Sequence, residues 1–120
     1  MPIENAIQTL KGICPRVIQQ GSLPQNEAYP ARFFTFWNGE THDHKHYDNA
    51  ARGVVWTLDI NFYSTDPLDI YSTIPQAIEA LRAEGWIISG MGHAVASDYN
   101  THTGRGFTAL YIDPEKEETA

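Results

Sequence analysis

One stretch constrains the fold more than any other: Gly53 to Ser64, reading GVVWTLDINFYS. Val54, Trp56, Leu58, Ile60 and Phe62 fall on one parity, and Val55, Thr57, Asp59, Asn61 and Tyr63 on the other. Alternation with a period of two places the first set on one side of an extended strand and leaves the second side wetter. The run is longer than the usual strand of about 5–6 residues, so it is expected at the centre of a sheet, paired along both edges. Its apolar side needs a cover.

The next segment supplies one. From Pro67 to Glu84 the residues Ile70, Ile74, Ala77, Ile78 and Leu81 share one helical face. Asp66 before Pro67 is a helix start, Asp69 sits in the first turn, Arg82 in the last, and Gly85 fits the stop. Pro75 lies inside this pattern and is expected to interrupt or kink it. Thr73 and Gln76 have capping-box spacing, which predicts a fresh start at Thr73. Matched apolar faces predict that Trp56, Leu58, Ile60 and Phe62 bury against Ile74, Ile78 and Leu81.

Elsewhere the signals are shorter. Residues 2–12, PIENAIQTLKG, read as a helix with Ile3, Ala6, Ile7 and Leu10 as its stripe. Arg16–Gln20 predicts a short strand, and 21–31, with two prolines and a glycine, a loop. Arg32–Trp37, RFFTFW, is rich in strand formers and apolar on both parities, so both of its faces need cover, one of them from a neighbouring subunit. Asn38–Ala51 reads as a polar loop or extended hairpin tip. Trp86–Met91 predicts a strand, His93–Gly104 a loop, and Arg105–Asp113 the last strand. Strands grouped on either side of a helix predict an α+β fold: a mostly antiparallel sheet of about four to five strands with two helices on one face. The expected layout is one domain over 1–113 and a flexible acidic tail over 114–120.

Fifteen acids against eight bases give a net charge of −7, and the bases are scattered. That argues against duplex DNA or an anionic membrane as a direct partner, because affinity for either needs clustered Lys and Arg. No run approaches the ~18–20 apolar residues of a membrane span. The first residues lack the layout of a signal peptide, and Cys14 is the only cysteine, so synthesis in a reducing, intracellular setting is expected.

Candidate chemistry is sparse. His42, His44 and His46 alternate beside Asp43 and Asp48, and on a strand all three imidazoles would share a side that could take zinc, nickel or copper. Against a site, no Cys or Glu stands at standard ligand spacing. Ser97, His93 and Asp98 have triad chemistry but no nucleophile elbow. SGMGH at 89–93 holds two glycines yet is not a phosphate cradle. Cys14 before Pro15 reads as a small buried or half-buried residue. No cofactor is expected. The sharpest segment is Thr101–Gly106, THTGRG: two glycines flank Arg105, and a turn there would aim it away from the strand, either as a contact to a neighbouring subunit or as the surface arginine of an ordinary β-turn.

Three stretches taken together, FFTFWNGETHDHKHYDN (33–49), WTLDINFYSTDP (56–67) and THTGRGFTALYI (101–112), resemble a family of small tail components or minor capsid proteins of long, flexible-tailed phages and prophages. That family is similar to tail-terminator and tail-completion proteins. The resemblance spans about Gln20 to Ile112, with STDP and HTGRG its sharpest pieces. It implies a tail-terminator-like α+β subunit without catalysis, assembling as a ring, commonly a hexamer, at the head–tail neck of a virion made in a bacterial cytoplasm. The implied partners are further copies of itself, the tail tube protein and a head-completion protein. The residues expected at interfaces are Arg105, Gly104, Gly106, His102, Phe34, Phe36 and Trp37. An acidic ring also suits a DNA channel, since a negative lumen does not grip phosphates. The alternatives are a head–tail connector or head-completion protein and, from another class, a small metal-dependent enzyme using His42, His44 and His46.

Overall fold

The computed structural model describes residues 2–19, 30–38, 42–43, 53–97 and 101–114. Helix α1 (Pro2–Lys11) leads into β1 (Val17–Gln19), β2 (Arg32–Asn38), β3 (His42–Asp43) and β4 (Gly53–Ser64). Helix α2 (Pro67–Ala83) follows, then β5 (Ile87–Ile88), β6 (His93–Val95) and β7 (Thr103–Pro114). The sheet runs β1-β2-β4-β7-β5, with β3 joining β4 beyond β2 and β6 joining β7. Among the described residues all pairings are antiparallel except β1 with β2. The α+β class is as expected, but among the described residues the sheet has seven strands rather than four or five.

The long alternating run is the centre of the sheet. β4 is paired along one edge by β2 and β3 and along its whole other edge by β7. Leu58, Ile60 and Phe62 are fully buried, with Trp56 packed at the margin. They share one core with Ile70, Ile74, Ala77, Ile78 and Leu81 of α2 and with Ala6 and Leu10 of α1, so both helices cover the same side of the sheet. Phe34, Phe107, Ala109, Trp86, Ile88 and Cys14 belong to it too.

Several local expectations are corrected. α2 is continuous through Pro75, and Thr73 is buried inside the helix rather than capping a new one. The carbonyl that Pro75 leaves without an amide partner belongs to Tyr71, a residue 67% exposed, so water can take its place. The predicted strand at 86–91 shrinks to Ile87–Ile88, and the predicted loop at 93–104 contains β6 and the start of β7. The polar segment after β2 includes β3, which continues the β2 side of a long hairpin onto Val54 and Val55 of β4. β7 extends to Pro114, and the rest of the expected acidic tail lies outside the described residues.

The start of α2 is fixed by a polar knot. Asp66 caps the helix, its Oδ1 accepting from the Leu68 amide at 3.1 Å. Asp69 accepts from Arg32 Nε and Nη2 (2.9 and 3.1 Å), from Ser64 Oγ (2.9 Å) and from Thr73 Oγ1 (2.8 Å). Arg32 also lies over the Phe62 ring, 5.4 Å from its centroid. One carboxylate thus ties β2, β4 and α2 together. Burial raises the Asp69 pKa, but hydrogen bonds from Arg32, Thr73 and Ser64 outweigh it and hold the group below the usual carboxylate range. A depressed folded-state pKa contributes stability above the unfolded value of about 3.9 that is lost as pH falls through the folded value. Asp69→Asn is expected to cost about 1–3 kcal/mol at pH 7, toward the low end because Arg32 stays partly wet. The gap from wild type should close on acidification toward pH 2. Denaturant melts at the two pH values check this, and a gap that persists in acid would deny the carboxylate its role.

Candidate functional site

The register sorts every strand residue onto one of two sides, because directly paired residues share a face. Phe34, Ile60, Phe62, Phe107 and Ala109 point to the helices. Among the described residues no helix lies over the opposite side. Its rows read Phe33–Tyr63–Gly104–Val95, Thr35–Asn61–Gly106–His93, Trp37–Asp59–Thr108, Thr57–Leu110–Ile87 and Val55–Ile112.

Exposed apolar side chains concentrate there. Trp37 (50% exposed), Ile87 (52%), Leu110 (37%) and Ile112 (45%) all stand on this helix-free face. A large exposed apolar patch marks an interaction surface more often than scattered single residues do. Two hollows cut into it. One, of about 460 Å³, is lined by Trp37, Asp59, Asn61, His93 and Thr108. The other, of about 290 Å³, is lined by Ile87, Met91, Leu110 and the turn between β5 and β6. His93, Phe107 and Thr108 border both, so they form one groove across the strands. Thr108 Oγ1 donates to Asp59 Oδ1 at 2.8 Å, and Asn61 Nδ2 to the Tyr63 hydroxyl at 3.2 Å.

The structure distributes the residues singled out in the sequence unevenly over these two sides. Trp37 is on the open face. Phe34 is fully buried under the helices, where its ring meets Phe62 at 4.8 Å, so its expected interface role is corrected. Phe36 is half-buried against the same core. RFFTFW is apolar on both parities because Phe34 and Phe36 serve the core while Phe33 and Trp37 serve the open face. Phe33 is itself covered, stacked on Tyr63 and edge-on to His102. His102 Nε2 donates to the Pro30 carbonyl at 2.8 Å, fastening the entrance of β2 to the entrance of β7.

The turn expected at Thr101–Gly106 is also corrected. Gly104 and Gly106 are buried strand residues, and positive φ among the described residues occurs only at Gly85, Gly90 and Gly92. Gly104 lies against the Tyr63 ring and Gly106 against the Asn61 side chain, so the glycines answer a close approach between strands, not a turn. Arg105 does not reach away from the chain. Its Nη2 donates to the Gly92 carbonyl at 2.9 Å and its Nε to that of Met91 at 3.4 Å. Arg82 Nη2 donates to the Ile88 carbonyl at 2.7 Å and reaches that of Gly90 at 3.5 Å. Two guanidinium groups therefore hold the β5–β6 turn, and that turn presents Met91, 53% exposed. Sequence reading missed this because the acceptors are main-chain carbonyls, which leave no mark in residue identity.

For the remaining candidates, His42 pairs with Val55 through β3, while His44, His46 and Asp48 lie outside the described residues. His93 is exposed on β6, and Asp98 also lies outside the described residues. Cys14 is buried, its thiol 3.7 Å from the Arg32 carbonyl. Among the described residues no helix is long and apolar enough to cross a membrane.

No protein-family model matches this sequence, and no curated protein matches it. Among solved structures, the chain is similar to a chain from the virion of a native gene transfer agent (GTA) particle. The two superpose with a TM-score of 0.56 over 92% of each chain, at 10% sequence identity. At that identity the likeness concerns the fold, and it covers the two chains almost from end to end.

Proposed function

We propose that this chain is a non-enzymatic structural subunit of a phage-like particle, acting at the head–tail neck as a ring-forming tail terminator or tail-completion protein. The observation that carries the reading is the fold shared, over 92% of both chains, with a component of a gene transfer agent virion. The motif resemblance in 33–49, 56–67 and 101–112 points the same way. A neck subunit must meet its own copies and the next protein along the axis, which needs more than one contact surface. The chain offers exposed apolar residues on both layers: Leu68 and Tyr71 on α2, and Trp37, Ile87, Leu110 and Ile112 on the sheet. Arg105 and His102 contribute from behind, Arg105 by holding the β5–β6 turn and His102 by fastening β2 to β7. The proposed neighbours are further copies of the chain, most simply six, the tail tube protein and a head-completion protein.

The test is an in-frame deletion in the phage or prophage that carries the gene, with electron microscopy of the particles produced. Unjoined heads and tails, with tubes of uncontrolled length, are expected, together with recovery on complementation and the protein present in purified wild-type particles. Normal particles from the deletion, or absence of the protein from wild-type particles, would overturn the proposal. Co-sedimentation with isolated tubes supports the terminator position. Co-sedimentation with capsids alone would move the subunit to head completion.

A further inference from the structure

The groove on the helix-free face has a chemical polarity of its own. At one end the indole of Trp37 stands across the strands from the carboxylate of Asp59. At the other, Leu110 and Ile87 form an apolar floor beside Met91. Asp59 is exposed and takes a hydrogen bond from Thr108, but among the described residues no cation pairs with it. Three of the described arginines are held elsewhere: Arg32 by Asp69, Arg82 and Arg105 by main-chain carbonyls. A lone carboxylate facing an open indole in a concave site is complementary to a cation, which gains an ion pair and a cation–π contact there.

From these features we infer that the groove is a docking site for an extended segment of a different, basic protein, one that places an arginine or lysine between Trp37 and Asp59 and an apolar side chain on Leu110 and Ile87. Charge selects the partner class. A second copy of this chain also carries −7, so it brings repulsion to the same surface, whereas a basic segment brings attraction. Geometry sets the spacing. The cationic end lies between β2 and β4 and the apolar end between β7 and β5, two strand spacings of about 4.8 Å sideways and two residues further along the strands, roughly 12 Å in all. An extended chain covers that in about four residues, and positions i and i+4 of such a chain face the same way. The inference rests on reading this face as a contact surface and adds what it contacts.

The probe is a blocked pentapeptide with arginine first, leucine fifth and glycine and serine between, titrated to millimolar concentration into the isotope-labelled full chain and followed by NMR. Saturable shifts are expected at the Trp37 indole and at the amides of Asp59, Thr108 and Leu110. Asp59→Asn should weaken binding by about fivefold, the size of one exposed charge contact. A peptide with glutamate in place of arginine should leave the spectrum unchanged. No saturable shift at these positions, or equal binding of the glutamate peptide or by Asp59→Asn, overturns the inference. Sedimentation at the same concentration covers the other occupant: an oligomer that Leu110→Asp dissolves would make the partner a second copy, and the proposal falls. The titration does not involve particles, so its failure leaves the neck assignment standing, and a failed neck assignment leaves the groove's ligand to be judged here.

Discussion

Leu58→Ala should destabilise the fold by about 3–4 kcal/mol, near the middle of the range for buried leucines. Leu58 is fully buried at the midpoint of β4, inside the cluster formed with Ile74, Ile78 and Leu81. Its cross-strand partner on β7 is Ala109, which is also fully buried and too short to move into the vacated space. On its other edge Leu58 is opposed by Asn38, the exposed last residue of β2, which has no apolar side chain to fill the space. The cavity therefore persists, and the loss includes a cavity term beyond lost transfer energy. The matched control is Leu110→Ala. Leu110 neighbours the same stretch of sheet but stands 37% exposed on the helix-free face, so its truncation should cost under about 1 kcal/mol. Equilibrium unfolding in urea measures both. A Leu58 loss below about 1 kcal/mol, or a Leu110 loss that matches it, would mean the two faces have been assigned the wrong way round.

That assignment was legible because β4 alternates over its whole length. A period of two along twelve residues fixes which side chains share a face before any partner strand is known. The helix that covers the face was legible for the same kind of reason, and Asp66 and Gly85 marked its ends through cap chemistry. What was not legible depends on pairing across long sequence separation. The glycines of THTGRG read as a turn because local rules favour that. Only the register, which sets Tyr63 opposite Gly104 and Asn61 opposite Gly106, turns them into strand residues. Pro75 read as a break because its own element gives no hint that the affected carbonyl faces water. Arg105 read as aimed away from its strand because an arginine bonded to main-chain carbonyls looks the same in sequence as one left open. Phe34 could not be separated from Trp37 as core or surface until β2 was paired with β4, since RFFTFW is apolar on both parities.

The register makes Gly104 one of two close approaches along β7, the other being Gly106 against the Asn61 side chain and the Ile60 carbonyl; at Gly104 the neighbour is a ring. A Cβ added there would stand 2.7 and 2.8 Å from two carbons of the Tyr63 ring and 2.9 Å from a methyl of Val95. The ring has nowhere to go: it stacks on Phe33 at 5.2 Å, and Phe33 meets His102 at 5.8 Å, which is itself fastened to Pro30. Relief thus requires moving the paired entrances of β2 and β7 together. Gly104→Ala is expected to cost about 2–3 kcal/mol, the scale of overpacking in a closed site. Backbone preference is not the cause, since Gly104 does not have positive φ. Gly90→Ala gives the contrasting case, with φ +77° and nothing within 4 Å of the added carbon, so only backbone strain of about 1 kcal/mol is expected. The decisive measurement is a double-mutant cycle with Tyr63→Ala, which removes the ring that Gly104 makes room for. In that background Gly104→Ala should lose at least half of its cost, a coupling on the order of 1 kcal/mol or more between residues in contact. If the two losses simply add, the glycine is there for some other reason, and the packing of Tyr63 across β7 is not what organises this corner of the helix-free face.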